Sequence, residues 1–303
     1  MPRIIGRRSV GLLLALAMLL GGCSLLRLSY EQGPTLLYWR LDRWVGFTPA
    51  QAPRVREAIA HWFEWHRREE LPRYAAALAR LQQELLQDAT APQACRWLHE
   101  LAAWRDAAWQ QALPLLAPLA RELQADQLAR LAQQWQRDDD ALRRDILPDD
   151  PAERLQAQVQ RTVQRAQRLY GRLDAPQRHQ LAQALAEAGL DPQAWWAERQ
   201  RRQADLLETL AQLRERHAGG PDTLAALQAV YQRAVNAPTS SLHRDSKACE
   251  LLARLHNLTT TAQRRTAQQR LRDWEADLRA LAREQPASAQ PASHSWADTP
   301  RPR

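Results

Sequence analysis

The chain has 303 residues, 45% of them hydrophobic and 25% charged, with 10 Gly, 2 Phe and 12 Trp. Ala, Leu, Gln and Arg dominate, and strand-forming runs of Val, Ile, Thr and Tyr are missing, so the composition favours helix nearly everywhere and excludes a sheet-based fold. Formal net charge is +8, falling to +5 (39 Lys and Arg against 34 Asp and Glu) if Arg3, Arg7 and Arg8 leave with a leader; so thin a surplus suits anionic headgroups or an acidic partner and gives no footprint for nucleic acid.

In chain order, residues 1–22 read as a signal peptide. Arg3, Arg7 and Arg8 form a positive start, Val10 to Leu20 an apolar core, and Gly21-Gly22 a small-residue cleavage site. That core is too short to span a bilayer, which needs about 20 apolar residues. The string Leu20-Gly21-Gly22-Cys23 resembles the lipobox of bacterial lipoproteins. The resemblance implies cleavage before Cys23, diacylation of its thiol with chains such as palmitate, and acylation of the new amino terminus. Ser24 replaces the Asp that retains such proteins at the inner membrane, which implies the inner leaflet of the outer membrane. Several acyl chains hold durably where one is marginal. Residues 23–33 are expected to be a lipidated tether.

The body, residues 34–284, is expected to be all-α. We anticipate an antiparallel bundle of about ten helices with no sheet, facing the periplasm. Helix starts are marked by Thr or Asp with Gln or Glu three residues on, a pair whose side chains and backbones cap each other. Thr48-Pro49-Ala50-Gln51, Thr90-Ala91-Pro92-Gln93, Asp150-Pro151-Ala152-Glu153, Asp174-Ala175-Pro176-Gln177 and Thr260-Thr261-Ala262-Gln263 all fit. Asp191-Pro192 and Gly219-Gly220-Pro221-Asp222 mark two more starts. The predicted helices cover 34–45, 49–70, 72–87, 91–112, 114–122, 124–146, 151–171, 175–188, 192–217, 222–236, 244–257 and 261–284. Neighbouring pieces are expected to run on through Pro72 and Pro114 as kinked rods. Leu155, Val159, Val163, Ala166 and Tyr170 share one helix face, and Ala267, Leu271, Trp274, Leu278 and Leu281 read as a seam. The caps recur at uneven intervals, so no fixed-period repeat emerges. Residues 285–303 are rich in Pro, Ala and Ser and are expected to be a disordered tail.

With Cys23 lipidated, Cys95 and Cys249 remain, either bridged in an oxidising compartment or as two buried thiols. The densest chemistry is Trp62, Trp65, His66, Arg67, Glu69, Glu70 and Tyr74, a candidate corner for a ligand or partner. The competing reading packs Trp62 and His66 in the core, with Glu69 or Glu70 satisfying the imidazole and Arg67 and Arg68 solvated. Of Trp195-Trp196, one is expected at an interface or groove, while most other Trp residues belong to the core. Metal binding gains no support: His61 and His66 are five apart and no Cys/His cluster has zinc spacing. No cofactor motif is present. Ser240, Ser241, His243 and Asp245 are only sequence neighbours, and Asp138-Asp139-Asp140 reads as a solvated stretch.

The stretch from Tyr30 through Leu41-Asp42 and Thr48-Pro49-Ala50-Gln51 to Trp65-His66-Arg67 and Glu70-Leu71-Pro72-x-Tyr74 resembles an uncharacterised family of proteobacterial helical lipoproteins. The likeness runs to about Leu281 and implies a lipidated periplasmic all-α protein without an established activity. Leu173-Asp174-Ala175-Pro176-Gln177 and Phe47-Thr48-Pro49-Ala50-Gln51 also come close to the Leu-Thr-x-x-Gln motif of small periplasmic helical chaperones. The function expected is non-enzymatic binding or scaffolding in the envelope, with the membrane as one partner and an envelope protein or glycan as another. A chaperone and an enzyme acting on cell wall or lipid, using His66, Glu69 and Glu70, are the alternatives.

Overall fold

The structure is a computed structural model that describes residues 25–189, 191–217, 219–237 and 242–284. The signal peptide, Cys23, Ser240, Ser241 and the tail lie outside the described residues, as do the side chains of His243 and Asp245. The described residues are all-α. In chain order they form α1 Leu25–Glu31, α2 Gly33–Val45, α3 Gln51–Trp65, a π turn His66–Glu70, α4 Leu71–Glu84, α5 Ala91–Arg121 and α6 Ala125–Ile146. Then come α7 Pro151–Tyr170, α8 Ala175–Ala188, α9 Pro192–Glu215, α10 Gly220–Val235, α11 Leu242–Asn257 and α12 Thr261–Arg283.

The described part of the expected tether has regular structure. Leu25 to Glu31 is helix, packed on α12, where Arg27 pairs with Glu284 at that helix's end, and Tyr30 meets Phe63 of α3 at 5.5 Å. The Gln32 N–H bonds Leu28 O and Leu36 N–H bonds Gln32 O, so α1 leads almost directly into α2. The run through Pro72 is continuous, as expected, and the π turn is how it continues. Proline has no N–H and its ring crowds the carbonyl four residues back. The chain widens just before it, with Leu71 N–H bonding His66 O five residues back. Helix α5 likewise contains Pro114 and Pro118 without breaking.

Thr90, Asp174 and Thr260 cap their helices through reciprocal boxes with the Gln three residues on. Asp150 caps α7 through Ala152 N–H, so the expected partnership with Glu153 is corrected. Two of these glutamines do more. Gln177 and Gln263, at the starts of α8 and α12, exchange amide hydrogen bonds at 2.8 and 3.0 Å. Each also donates to the carbonyl two residues before its partner's cap: Gln177 to Leu258 and Gln263 to Arg172. Gln51 and Gln127, at the starts of α3 and α6, repeat the device, with Gln51 donating to Glu122 O and Gln127 to Gly46 O. Unequal chain intervals, 76 and 86 residues, hide this repetition from a search for a fixed period. Gly46 ends α2 at φ 71°, a left-handed conformation that suits glycine, and a Cβ there would stand 2.9 Å from the Arg130 guanidinium.

Four apolar clusters hold the helices. The largest joins α4, α7, α8 and α12 through Val163, Tyr170, Leu181, Leu185, Ala267 and Leu271. A second, with Leu113, Leu128, Leu210 and Leu227, gathers α6, α9 and α10 on α5. Tyr38, Val55 and Ile59 fasten α2 to α3. Ala94, Cys249 and Ala253 fasten α11 to the start of α5. Full burial of a Leu contributes about 2–3 kcal/mol, and Leu71, Leu181, Leu271 and Leu281 are all under 2% exposed. Within the predicted α12 seam Trp274 is the exception, since it is exposed while Ala267, Leu271 and Leu281 are buried. Trp39 is also exposed, at 64%.

Candidate functional site

The seven corner residues do converge around the π turn. His66 stacks on Trp62 at 4.8 Å and lies 5.8 Å from the Tyr30 ring, with Tyr74 edge-on at 5.4 Å. Its Nδ1 is 2.9 Å from the Tyr30 hydroxyl. Trp62 is held in turn by its indole N–H, which donates to Ala108 O in α5. Trp65 packs against Trp62 at 6.0 Å. Glu70 is fully buried and accepts from Arg73 at 2.7 Å, whereas Glu69 is exposed. Tyr74 extends the aromatic chain to Trp104 at 4.5 Å.

Two parts of the sequence reading are corrected. The imidazole is satisfied by Tyr30, from α1, and by neither glutamate. Arg67 is not solvated: it donates to the carbonyls of Leu281 and Glu284 and lies over the Tyr30 ring at 5.3 Å. It thereby ties the π turn to the carbonyl-rich end of α12, where a cation is favoured. Asp138 and Asp139 are corrected too. Asp138 accepts from Trp44 and Arg43, and buried Asp139 accepts from Arg199 and Gln203, so both join α6 to its neighbours. Of that acidic run, Asp140 alone is exposed.

Burial lowers the His66 pKa to about 4, and it raises the Tyr30 phenol to about 12 against an opposing pull from Arg67. Burial, with the Glu70 carboxylate second, pushes Tyr74 above its ordinary range. The imidazole is therefore neutral at pH 7. A buried second pair repeats the arrangement: His256 Nδ1 faces the Tyr170 hydroxyl at 2.9 Å and its Nε2–H donates to Gln87 O, and burial again lowers its pKa. Both histidines bind protons more readily in the unfolded chain than in the folded one. Stability should thus be full above pH 6.5 and fall as pH drops towards 4. The His66 share is about 1–2 kcal/mol after allowance for its partial exposure. Urea unfolding of His66→Gln against the parent at pH 7 and pH 4.5 tests this: the variant should show the shallower pH dependence.

Away from the corner, α6, α7, α8, α9 and α11 border an open-mouthed cavity of about 710 Å³. Its wall is mainly apolar, with Leu169, Leu185, Leu251 and Leu255, and Arg161 and Arg165 line it from α7. Trp195 and Leu252 stand at it, 41% and 38% exposed, while Trp196 is buried, so the Trp pair divides as expected. Sequence reading missed this cavity. The available signal was α7 itself, where Arg161 and Arg165 have no acidic residue three or four positions away. A second cavity, about 650 Å³, lies at Trp44, Trp135 and Asp138, where Arg40 pairs with Asp138 and Arg199 with Asp139.

Cys95 and Cys249 are joined in a disulfide, with Cα atoms 5.0 Å apart. Among the described residues, no group of three or more His, Cys, Asp or Glu is placed to hold a metal ion, and no helix is long and apolar enough to cross a membrane. No curated protein and no solved structure matches the chain. A family match is found, narrower than the span from Tyr30 to Leu281 that the motifs suggested, and it takes in Thr48 to Tyr74, the π turn and α7. Residues 44–234, well over half of the chain, match a family of unknown function (DUF6279), and the chain belongs to that family.

Proposed function

We propose that this is a lipid-anchored protein of the cell envelope, a helical module that binds or positions another envelope component without transforming it. On this reading Cys23 carries the lipid, the helices face the periplasm, and Ser24 directs the protein to the inner leaflet of the outer membrane. The Cys95–Cys249 disulfide supports an oxidising compartment. The observation that carries the reading is the set of exposed apolar side chains that follows Cys23. Leu26, Leu28, Leu36, Leu37 and Trp39 are all exposed, on two short helices that continue one into the other. An aromatic and several leucines next to an acylation site fit the headgroup boundary of a bilayer.

Metabolic palmitate labelling tests the anchor. The parent should take up label and fractionate with membranes, and Cys23→Ser should lose both; label retained by Cys23→Ser overturns the address. These side chains have their own test. The Cys23→Ser protein should still partition onto phosphatidylglycerol-containing vesicles, and Leu36→Ala/Trp39→Ala should weaken that partition at least fivefold in flotation. Equal flotation of the two would remove these side chains from the proposal.

A further inference from the structure

The α7 cavity combines two features that a folded protein seldom leaves together. Trp195 and Leu252 are exposed beside an apolar wall. Arg161 and Arg165, one turn apart, form no ion pair among the described residues. The one bond that Arg161 makes is to a neutral backbone acceptor, Asp145 O, at 2.6 Å. Burial and the neighbouring charge of Arg165 lower its pKa, opposed by Asp145. The lining carboxylate, Asp191, is already engaged, accepting from Gln193 N–H as the cap of α9. At the second cavity, by contrast, Arg40 and Arg199 are each paired with a carboxylate. Two guanidiniums thus face one lining carboxylate, and the Asp145 carboxylate acts on Arg161 without forming an ion pair, so the cavity carries surplus positive charge beside apolar surface.

We propose that this cavity binds a single-chain amphiphile with an anionic head. The acyl chain lies along Leu169, Leu185, Leu251 and Leu255 under Trp195, and Arg161 and Arg165 take the carboxylate or phosphate. Paired guanidiniums match either head through forked hydrogen bonds. The volume falls within the roughly 300–1,000 Å³ usual for small-molecule sites. The site does not depend on the Cys23 anchor.

Binding is measured on the mature Cys23→Ser chain in solution, by displacement of a fluorescent fatty acid below the micelle concentration of each competitor. Palmitate and 1-palmitoyl-lysophosphatidate should compete saturably, and uncharged 1-palmitoylglycerol at least tenfold more weakly. Whichever acid binds tighter identifies the source as free fatty acid or phospholipid. Arg161→Gln/Arg165→Gln should abolish the preference for anions, and Leu252→Glu, at the exposed rim, should weaken all three ligands at least tenfold with the melting temperature unchanged. Three results overturn the proposal: no saturable competition by palmitate, an anion preference that survives loss of both arginines, or displacement only by an acidic amphipathic peptide. Because no membrane or lipidation is involved, failure here is distinguishable from failure of the anchor.

Discussion

Replacing Cys95 and Cys249 together by serine should lower the unfolding free energy by about 3–5 kcal/mol. The bridge closes a loop of 154 residues, and in the chain-entropy model such a loop restricts the unfolded ensemble by about 5 kcal/mol. The native side adds little to that figure. Serine is close to cysteine in size, and Cys249 sits among Ala94 and Ala253, so no large void follows. The loss falls on the seam between the start of α5 and α11. This seam is otherwise held by small side chains and by Asn257, whose amide bridges to the Ala89 backbone. Urea unfolding of the oxidised parent, the reduced parent and the double variant should place the last two together, well below the first. A difference under 1 kcal/mol would mean that the bridge does not restrain the unfolded chain.

The same seam shows which parts of the molecule a sequence reader can reach. Helices were legible because their signals are local: Thr90 and Gln93 are three residues apart, and Leu155, Val163 and Tyr170 recur at helical spacing. The corner residues were legible as a cluster for the same reason. Their partners were not. Helical neighbours of His66 are Glu69 and Glu70, but the π turn changes the register there, and the hydroxyl that meets the ring comes from Tyr30, 36 residues earlier. Arg67 reaches carbonyls more than 200 residues away. The α7 cavity is harder still, since Ile146, Arg161, Leu185, Trp195 and Leu255 meet only through tertiary packing. Trp274 was misassigned because its spacing is that of a seam while α12 presents that position outside the packed face.

The glutamine junctions separate a local cap from a tertiary tie, and Gln177→Glu should expose the difference. In a capping box Glu and Gln serve equally, because the box uses an acceptor oxygen alone. Gln93 is such a case: its Oε1 accepts from Thr90 N–H, and Gln93→Glu should change stability by less than about 0.5 kcal/mol. Gln177 uses every polar atom it has. Its oxygen accepts from Asp174 N–H and from Gln263, and its amide donates to Leu258 O and to Gln263. A carboxylate keeps the acceptors and loses both donors. It would then face the Leu258 carbonyl and the Gln263 oxygen across a site where Gln177 is only 7% exposed. The expected cost is about 2–4 kcal/mol, that of burying a carboxylate with no cation beside it and leaving the Leu258 carbonyl without its donor, while Gln263 Oε1 keeps Thr260 N–H. Combining Gln177→Ala with Gln263→Ala should cost less than the sum of the single changes, because the first already breaks the exchange. Gln51→Glu should repeat the result at the α3–α6 junction. Thermal or urea unfolding of Gln93→Glu, Gln177→Glu and Gln51→Glu decides the matter: if all three are neutral, the exchanges are incidental to capping, and if the last two fall together, one device holds both pairs of helix starts.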